Sequence, residues 1–255
     1  MIHAIRKMHG FKIHATDAEL GHVEDWYFDD EDWVVRYLVA KTGFWFLGKE
    51  VLISPHSVTS VDWDKREVNV TLTKQQVEQS PEIDTHQPIS RRKENEFHLY
   101  YNVPAYWGGL GLWGHEMVPN GRPLDSDTDN GEGCAEEDEH LRSVREVIGY
   151  RLHAVDGDIA QVNDFLFDEQ TWALRYVLAH LTGRSGGRGI VIPPKLVDHV
   201  VWTRAHVAVN ASQEQILSAP ALEKDRTTLD RDFETRIFSH YTTHPYWVSE
   251  EAQRE

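Results

Sequence analysis

A stretch of twelve residues near the middle of the chain carries carboxylates at the spacing of a calcium-binding loop. In the sequence DSDTDNGEGCAE, Asp125, Asp127 and Asp129 occupy positions 1, 3 and 5, and Glu136 occupies position 12. An EF-hand loop places its carboxylate ligands at these positions. Position 6, where the sharp turn of such a loop requires glycine, is Asn130. We therefore interpret the stretch as an acidic, glycine-rich linker, and calcium binding by the four carboxylates stays the alternative.

The other residues that could do chemistry do not form a catalytic pattern. The chain has no G-x-S-x-G nucleophile elbow, no H-E-x-x-H zinc motif and no dinucleotide-binding fingerprint. The one cysteine, Cys134, has carboxylates around it, and these favour the unreactive thiol over the thiolate. The glycine-rich stretch at residues 182–189, TGRSGGRG, lacks the spacing of a phosphate-binding loop and is interpreted as a connection between strands. The sequence predicts a protein that is not an enzyme and binds no cofactor.

The composition favours a globular, acidic protein. The chain of 255 residues has 42 acidic and 26 basic side chains, which gives a formal net charge of -16. The phosphate backbone of a nucleic acid would repel such a protein. No apolar run reaches the roughly 20 residues of a membrane helix, and the N-terminus lacks the apolar core of a secretory signal. We expect a cytoplasmic protein whose partner is a protein or a second copy of itself, rather than a small molecule.

The sequence repeats itself at an offset of 139 residues. The phrase DEDWVVRYL at residues 30–38 returns as EQTWALRYV at residues 169–177. Identical residues continue on both sides of the phrase, and the aligned pairs include Gly10 and Gly149, Asp17 and Asp156, Phe28 and Phe167, Asp29 and Asp168, Tyr37 and Tyr176, and Trp63 and Trp202. Similarity over this length indicates a tandem duplication. We predict a first domain over residues 1–115, an acidic flexible linker over 116–143 and a second domain over 144–255.

Within each copy, short apolar runs separated by turn residues predict an all-β fold. The first copy has six runs, and the second has six at matching places; those of the first are Phe11–Ala15, His22–Phe28, Trp33–Ala40, Val51–Ile53, Val58–Asp62 and Val68–Leu72. Thr73–Gln76 and Ser212–Gln215 then have the form of a capping box at the start of a short helix. Because an open sheet leaves edges unpaired, we expect each copy to close into a small six-stranded barrel covered by that helix.

An aromatic tail follows each copy. The tail YYNVPAYW at residues 100–107 corresponds to HYTTHPYW at residues 240–247. Tyrosine and tryptophan combine a large apolar ring with a polar group, which suits a segment laid over an apolar surface. We expect the tails to cover a barrel or to join the two barrels, and we expect a partner to bind the aromatic side chains that stay exposed. The predicted interaction residues are Tyr100, Tyr101, Tyr106, Trp107, Tyr246 and Trp247.

Three further duplicated pairs are interpreted as structural, and they are Asp25 and Asp164, Arg36 and Arg175, and Trp33 and Trp172. The aspartate and the arginine of each copy lie on neighbouring predicted strands, which an ion pair between them could tie together. The tryptophans are expected to pack in the core or at the rim of the barrel. Of the fifteen histidines, only His14 and His153 are aligned, so no metal site is predicted.

The duplicated pattern resembles the PRC-barrel family, which is named for the cytoplasmic part of the H subunit of the photosynthetic reaction centre. The residues that carry the resemblance in the first copy are Gly10, Asp17, Val23, Asp25, Phe28, Asp29, Trp33, Arg36, Tyr37, the phrase VLISP at 51–55, and Trp63. The likeness covers about residues 5–82 and 144–221. The tails resemble the Tyr-Tyr-Gly-x-Pro-x-Tyr-Trp ends of stand-alone bacterial members, with Asn102 in place of the glycine.

The resemblance implies a six-stranded barrel that serves assembly and binding, and it brings no catalytic residues with it. We therefore predict a non-enzymatic module for protein interaction or assembly. Two alternatives stay open. The chain could be a ribosome-assembly adaptor that binds a basic ribosomal protein, or an accessory subunit of a photosynthetic or membrane electron-transfer complex.

Overall fold

The computed structural model describes residues 1–42, 49–81, 89–107, 111–120, 141–181, 189–222 and 229–248. The chain divides into two compact units. The first unit comprises Met8–Ser143 and Gln170–Trp172, and the second comprises Met1–Lys7, Val144–Glu169 and Ala173–Glu255. Each unit is therefore built mainly from one sequence copy and contains a short segment or two of the other.

Strands and helices follow one another in the same order in both copies, except that a 3-10 turn at Ile5–Met8 in the first copy stands where the second copy has a short α-helix. The first copy contains β1 (Ile2–Ala4), β2 (Lys12–His14), β3 (Glu19–Asp29), β4 (Val34–Thr42), β5 (Glu50–Ile53), β6 (Val58–Asp62), β7 (Glu67–Val70), α1 (Lys74–Glu78) and α2 (Arg91–Tyr101). The second copy contains β8 (Leu141–Ser143), α3 (Val144–Val147), β9 (Arg151–Ala154), β10 (Gly157–Asp168), β11 (Leu174–Leu181), β12 (Gly189–Ile192), β13 (Val197–Val201), β14 (His206–Val209), α4 (Gln213–Ser218) and α5 (Arg231–His240).

Each unit contains one seven-stranded sheet, and the strand order is the same in both. The first sheet has the order β5-β4-β3-β2-β7-β6 with β8 paired to β3, and the second has the order β12-β11-β10-β9-β14-β13 with β1 paired to β10. The pairs β2·β7 and β9·β14 are parallel, and the others are antiparallel. All six strands predicted for the first copy are present, and the prediction of two small, mostly β, barrel-like domains is confirmed.

The sheets differ from the prediction in closure and in strand number. Within the described residues, β5 and β6 end the first sheet without a ladder between them, and a 3-10 turn at Pro55–Ser57 separates them in sequence. Pro194 begins the same turn in the second copy. Because proline has no N–H to donate, the chain leaves the ladder at this point. The expectation of a closed, six-stranded barrel was wrong in these two details, since over the residues that the structure describes each sheet is open and contains a seventh strand.

The turn between β3 and β4 holds a tryptophan in a left-handed backbone conformation. Asp29 Oδ1 accepts hydrogen bonds from the backbone N–H groups of Glu31 at 2.9 Å and Asp32 at 3.3 Å, which stabilises this acidic turn. Trp33 follows with a φ of 58°, and its copy Trp172 has the same φ. Residues other than glycine rarely adopt this region. Burial of both indoles explains why the conformation is kept in both copies.

Two kinds of helix follow the strands of each copy, and the sequence predicted only one of them. The short helices α1 and α4 begin with the predicted capping boxes, formed by Thr73 with Gln76 and by Ser212 with Gln215. The longer helices α2 and α5 precede the aromatic tails, and their last residues overlap the first residues of the predicted tails at 100–107 and 240–247. Ser90 caps the N-terminus of α2 and Asp230 caps that of α5. Tyr100 and Tyr101 are therefore helical residues.

The N-terminal strand of each copy lies in the sheet of the other copy. Strand β1 of the first copy belongs to the second unit, and strand β8 of the second copy belongs to the first unit. Residues 170–172 also belong to the first unit, where Trp172 O accepts the N–H of Val35 at 2.9 Å. The observed units thus differ from the predicted continuous domains at residues 1–7, 141–143 and 170–172, because strand pairing joins segments that are distant in sequence.

The duplicated aspartates predicted to pair with arginine contact the exchanged segments instead. Asp25 accepts a hydrogen bond from Ser143 Oγ at 2.5 Å, and its copy Asp164 accepts one from the backbone N–H of Arg6 at 3.3 Å. Both aspartates also accept the N–H of the residue that follows them. Burial raises the pKa of Asp164 to about 6, although these N–H groups oppose the shift. A buried carboxylate therefore lies at the same position beneath each exchanged strand.

We expect Asp164→Asn to change how stability depends on pH. The carboxyl pKa is about 6 in the folded protein and 3.8 ordinarily, so the folded state binds the extra proton and gains stability as the pH falls through this range. The amide retains the accepting oxygen and does not titrate. The variant should be more stable than the parent by up to about 3 kcal/mol at about pH 8, and the gain should vanish near pH 4. Urea unfolding at several pH values measures this difference.

The same chemical change at the exposed Asp64 is the matched control and should leave the pH profile of unfolding unchanged. Parallel profiles for the parent and for Asp164→Asn between about pH 4 and pH 8 would show that this carboxyl does not titrate in that range.

Candidate functional site

A buried glutamate is the centre of a hydrogen-bonded cluster in the first unit. Glu94 lies on α2 with 0% of its surface exposed. Its Oε1 atom accepts hydrogen bonds from the hydroxyl groups of Tyr37 at 3.1 Å and Tyr106 at 2.6 Å. Its Oε2 atom accepts one from Arg91 Nη1 at 3.0 Å. The cluster therefore links strand β4, helix α2 and the aromatic tail that follows this helix.

The second unit contains the same cluster. Glu234 on α5 is 3% exposed, and its Oε1 atom accepts hydrogen bonds from the hydroxyl groups of Tyr176 and Tyr246, both at 2.9 Å. Arg231 Nη1 lies 3.7 Å from the other oxygen. Here the arginine is 57% exposed, whereas Arg91 in the first unit is 8% exposed. The two clusters thus share their design and differ in how completely the ion pair is buried.

A second arginine contacts the ring of the tail tyrosine in each unit. The guanidinium carbon of Arg36 lies 3.8 Å from the ring centroid of Tyr106, and that of Arg175 lies 3.9 Å from the ring of Tyr246. A cation over an aromatic face is attracted by the negative face of the ring. Each tail tyrosine is therefore held by a glutamate at its hydroxyl group and by an arginine at its ring.

The carboxylate partner of Arg36 is not the one predicted. Arg36 Nη2 lies 3.1 Å from Asp29 and 2.9 Å from Asp32. In the second copy, Arg175 Nη2 lies 3.5 Å from Asp168. The sequence offered both Asp25 and Asp29 as duplicated acids near the arginine. The structure pairs the arginine with the acid of the β-turn, because this turn brings the end of β3 back to the start of β4.

Burial next to a carboxylate keeps the tyrosines protonated. Burial is the largest cause that raises the pKa of Tyr37 and Tyr106, and the negative charge of Glu94 raises both values further. The same two causes raise the pKa of Tyr176 and that of Tyr246 beside Glu234. The four hydroxyl groups therefore act as permanent hydrogen-bond donors to the glutamates. Hydroxyl groups that stay protonated stabilise the arrangement of the segments and do not readily transfer protons.

Two histidines distinguish the first cluster from the second. The hydroxyl proton of Tyr37 is engaged with Glu94, so His98 Nε2, 2.9 Å away, must donate its proton to this hydroxyl group. Burial, helped by the charge of nearby His56 and Arg91, lowers the pKa of His98 to about 3. Burial also lowers the pKa of His56, whose Nδ1 atom lies 2.6 Å from Asn120 O. The corresponding residues of the second copy are Phe238 and Lys195.

The predicted interaction residues fall into exposed and buried groups. Tyr106 is 5% exposed and fully engaged with Glu94 and Arg91, so its side chain is not available to a partner. Tyr101 packs against the core of the first unit. Tyr100 is 37% exposed and donates its hydroxyl group to Gln76 O at 2.7 Å. Trp107, Tyr246 and Trp247 are half-buried.

The structure brings together residues that the sequence interpretation missed. The pattern Arg-x-x-Glu occurs on both α2 and α5, as Arg91 with Glu94 and as Arg231 with Glu234, with a tail tyrosine twelve residues after the glutamate. The offset of this pattern is 140, one residue longer than that of the strands, and a comparison without gaps therefore does not align it. A comparison at an offset of 140 would have aligned the two Arg-x-x-Glu patterns and revealed the duplicated cluster.

The structure gives no metal site in the residues that it describes. No group of three or more histidine, cysteine, aspartate or glutamate side chains there could hold a metal ion. The predicted calcium ligands Asp125, Asp127, Asp129 and Glu136 lie outside the described residues, and so do Cys134 and residues 182–188 of the glycine-rich stretch. The aligned histidines are paired with acids at the protein surface, His14 with Glu67 at 3.6 Å and His153 with Asp158 at 2.7 Å.

We expect Glu94→Gln to destabilise the protein more than Glu234→Gln does. Both changes remove a buried charge, but only the first leaves an arginine buried without its carboxylate partner. The loss should be about 3 kcal/mol for Glu94→Gln. It should be about 1 kcal/mol for Glu234→Gln, because solvent reaches Arg231. Urea unfolding of the two variants measures the difference, and equal losses would show that burial of the arginine does not set the cost.

We expect His98→Phe, which installs the residue of the second copy, to protect the protein against acid. The folded-state pKa of about 3 lies below the ordinary 6.5, so the parent loses stability as the pH falls from 6.5 towards 3. Phenylalanine does not titrate. Relative to its own value at pH 7, the variant should retain roughly 2–3 kcal/mol more stability than the parent at about pH 4. Urea unfolding of both proteins between about pH 7 and pH 4 measures the two losses of stability. Equal losses in the parent and in the variant would contradict the prediction.

Comparison with known proteins identifies the first copy. No curated protein matches the chain. The family model of the PRC-barrel domain matches residues 2–77, from the start of β1 to the middle of α1. Residues 141–216, at the offset of the duplication, repeat the strand order of the matched segment. This match assigns residues 2–77 of the chain to the PRC-barrel domain family.

Proposed function

We propose that this protein is a non-enzymatic interaction module that presents a rigid helical surface to a protein partner. The observation that carries the proposal is the duplicated glutamate cluster. In each unit, the buried glutamate binds two tyrosines and an arginine. These contacts fix the position of a helix and of the tail that follows it. These groups supply fixed geometry, and the proposed activity is binding without chemical turnover.

Helix α2 supports the proposal because its inner face is buried and two large side chains are exposed near the end of its outer face. Glu94, Phe97 and His98 are buried on the inner face. On the outer face, Leu99 is 66% exposed and Tyr100 is 37% exposed. Large apolar side chains held on a rigid element bind a partner with little loss of conformational freedom. We propose that Leu99 and Tyr100 contact the partner directly.

The net charge indicates the chemistry of that partner. A chain with a formal charge of -16 attracts basic proteins and repels nucleic acids. None of the described helices is long enough and apolar enough to cross a membrane. We propose a basic protein of the cytoplasm as the partner, and we extend the PRC-barrel assignment to the second copy on the basis of its matching strand order.

The test compares three versions of the full chain as bait in cell lysate. We expect the parent to capture a basic protein, and we expect Leu99→Asp combined with Tyr100→Ala to reduce that capture at least about tenfold. The matched control is Arg92→Ala, an exposed residue on the same helix, and it should capture as the parent does. Capture should weaken as the salt concentration rises from about 50 to about 300 mM, since screening reduces attraction between opposite charges.

An unchanged capture by the double variant would remove the outer face of α2 from the proposed binding surface. Capture that does not respond to salt would remove the charge argument. The Arg92→Ala control should unfold at the same urea concentration as the parent, because Arg92 is an exposed residue. The double variant loses the hydrogen bond from Tyr100 to Gln76 O and should be destabilised by about 1 kcal/mol, so capture is compared under conditions in which all three proteins are folded.

A further inference from the structure

The two exchanged strands pair with the same register. Strand β1 pairs with β10 through Ile2 with Asp168, His3 with Phe167 and Ala4 with Leu166. Strand β8 pairs with β3 through Leu141 with Asp29, Arg142 with Phe28 and Ser143 with Tyr27. Every residue of the second set is the copy of the corresponding residue of the first set, at the offset of 139. Each copy thus gives one strand to the other copy and receives the equivalent strand in return.

Side chains reinforce both pairings at equivalent positions. On β8, Arg142 Nε lies 2.8 Å from Asp30, and Ser143 donates its hydroxyl group to the buried Asp25. On the β1 side, His3 lies 3.3 Å from Glu169, the copy of Asp30, and the N–H of Arg6 is donated to Asp164. Met1 adds to this pairing, since its carbonyl oxygen accepts a hydrogen bond from the backbone N–H of Glu169 at 3.1 Å.

The exchanged strand is part of the domain itself. The PRC-barrel match begins at residue 2, so the strand that leaves the first copy is the first strand of the matched segment. Ile5, directly after it, is 0% exposed in the second unit. A sheet edge that is filled by an extended segment gains backbone hydrogen bonds along its length. We propose that the N-terminal strand of each copy is a docking element for the other copy, so that the two copies form an interlocked pair that persists after the chain is cut between them.

The docking site on each copy consists of a short strand edge and two acidic side chains. In the first copy it is the edge of β3 at residues 27–29 with Asp25 and Asp30, and in the second it is the edge of β10 at 166–168 with Asp164 and Glu169. The occupant is the N-terminal strand of the other copy. This inference does not depend on the proposed partner, because it concerns only the association of the two copies.

The test uses the full chain with a protease site placed within residues 121–140 and with Cys134→Ser. After cleavage, the two fragments should elute together with the mass of the intact chain, 29.5 kDa. Separation of the two fragments into monomers would overturn the proposal.

Proline substitutions test whether the exchanged strands cause the association. Since Glu169 N–H is donated to Met1 O, the alternation of an antiparallel ladder makes His3 and Phe167 the next hydrogen-bonded pair. His3→Pro with Arg142→Pro removes one N–H donor from the centre of each strand. The cut chain should then separate into two fragments. The control, His3→Val with Arg142→Val, keeps both N–H groups and should stay associated. Association of the proline variant would assign it to other surfaces and overturn the proposal.

A cross-link provides a second measurement that does not depend on the folding of the proline variant. Ile2→Cys with Asp168→Cys, opposite each other across the two strands, should form a disulfide that keeps the cut chain in one band at 29.5 kDa until it is reduced. The matched control is Ile2→Cys with Asp29→Cys, the pair that would be adjacent if each copy kept its own strand. It should retain two free thiols. A disulfide in the control, or a band of twice the mass in the first variant, would overturn exchange within one chain.

Discussion

A carboxylate taken out of water must be compensated by charges and hydrogen bonds, and this requirement organises both halves of the molecule. An isolated buried carboxylate would cost many kcal/mol or would pick up a proton. Glu94 and Glu234 meet the requirement with two tyrosine hydroxyl groups and one arginine each. Because the donors come from a strand and from the tail beyond the helix, the glutamate can be satisfied only when all three segments are in place.

This constraint explains the course of the chain after the barrel strands. Helix α2 is anchored by Glu94 on its inner face, and the tail must return so that Tyr106 reaches the same carboxylate. Arg36 then covers the ring of Tyr106 and is itself neutralised by Asp29 in the turn that holds Trp33. The repeated phrase at residues 30–38 therefore supplies Arg36 and Tyr37, which contact the Glu94 cluster from the sheet. The other members of the cluster lie on α2 and in the tail.

Both copies contain the cluster of a glutamate, two tyrosines and an arginine, and they differ in the residues around it. His98 in the first cluster is Phe238 in the second, and the hydroxyl of Tyr100 that reaches Gln76 O is replaced by the Nε2 atom of His240, which lies 2.8 Å from Gln215 O. The second contact again joins the long helix to a backbone carbonyl of the short helix. Contacts that fix the position of the helices are therefore retained with different side chains, whereas the exposed positions beside them differ, as Leu99 and Ser239 do.

The sequence by itself determined the duplication, which a comparison of the chain with itself reveals. It also determined the six strands of each copy and the capped short helices, because strand alternation and a capping box are signals from residues close together in the chain. The helices α2 and α5 were also encoded locally, by the N-caps Ser90 and Asp230 and by the Arg-x-x-Glu spacing. The sequence analysis considered only the aromatic residues from 100 and 240 onwards and made no prediction for the helical residues before them.

Only the tertiary structure decided which groups meet. The sequence offered Arg36 two duplicated aspartates, and the path of the β-turn selected Asp29. The sequence also suggested that the six strands of one copy close into a barrel. The edge of β3 at residues 27–29 instead pairs with Leu141–Ser143, more than 100 residues away in the chain. Any extended segment can supply backbone hydrogen bonds to an edge, so the amino-acid pattern of a short strand does not specify its partner. That choice depends on where folding places the ends of each copy, which is why the exchange is visible only in three dimensions.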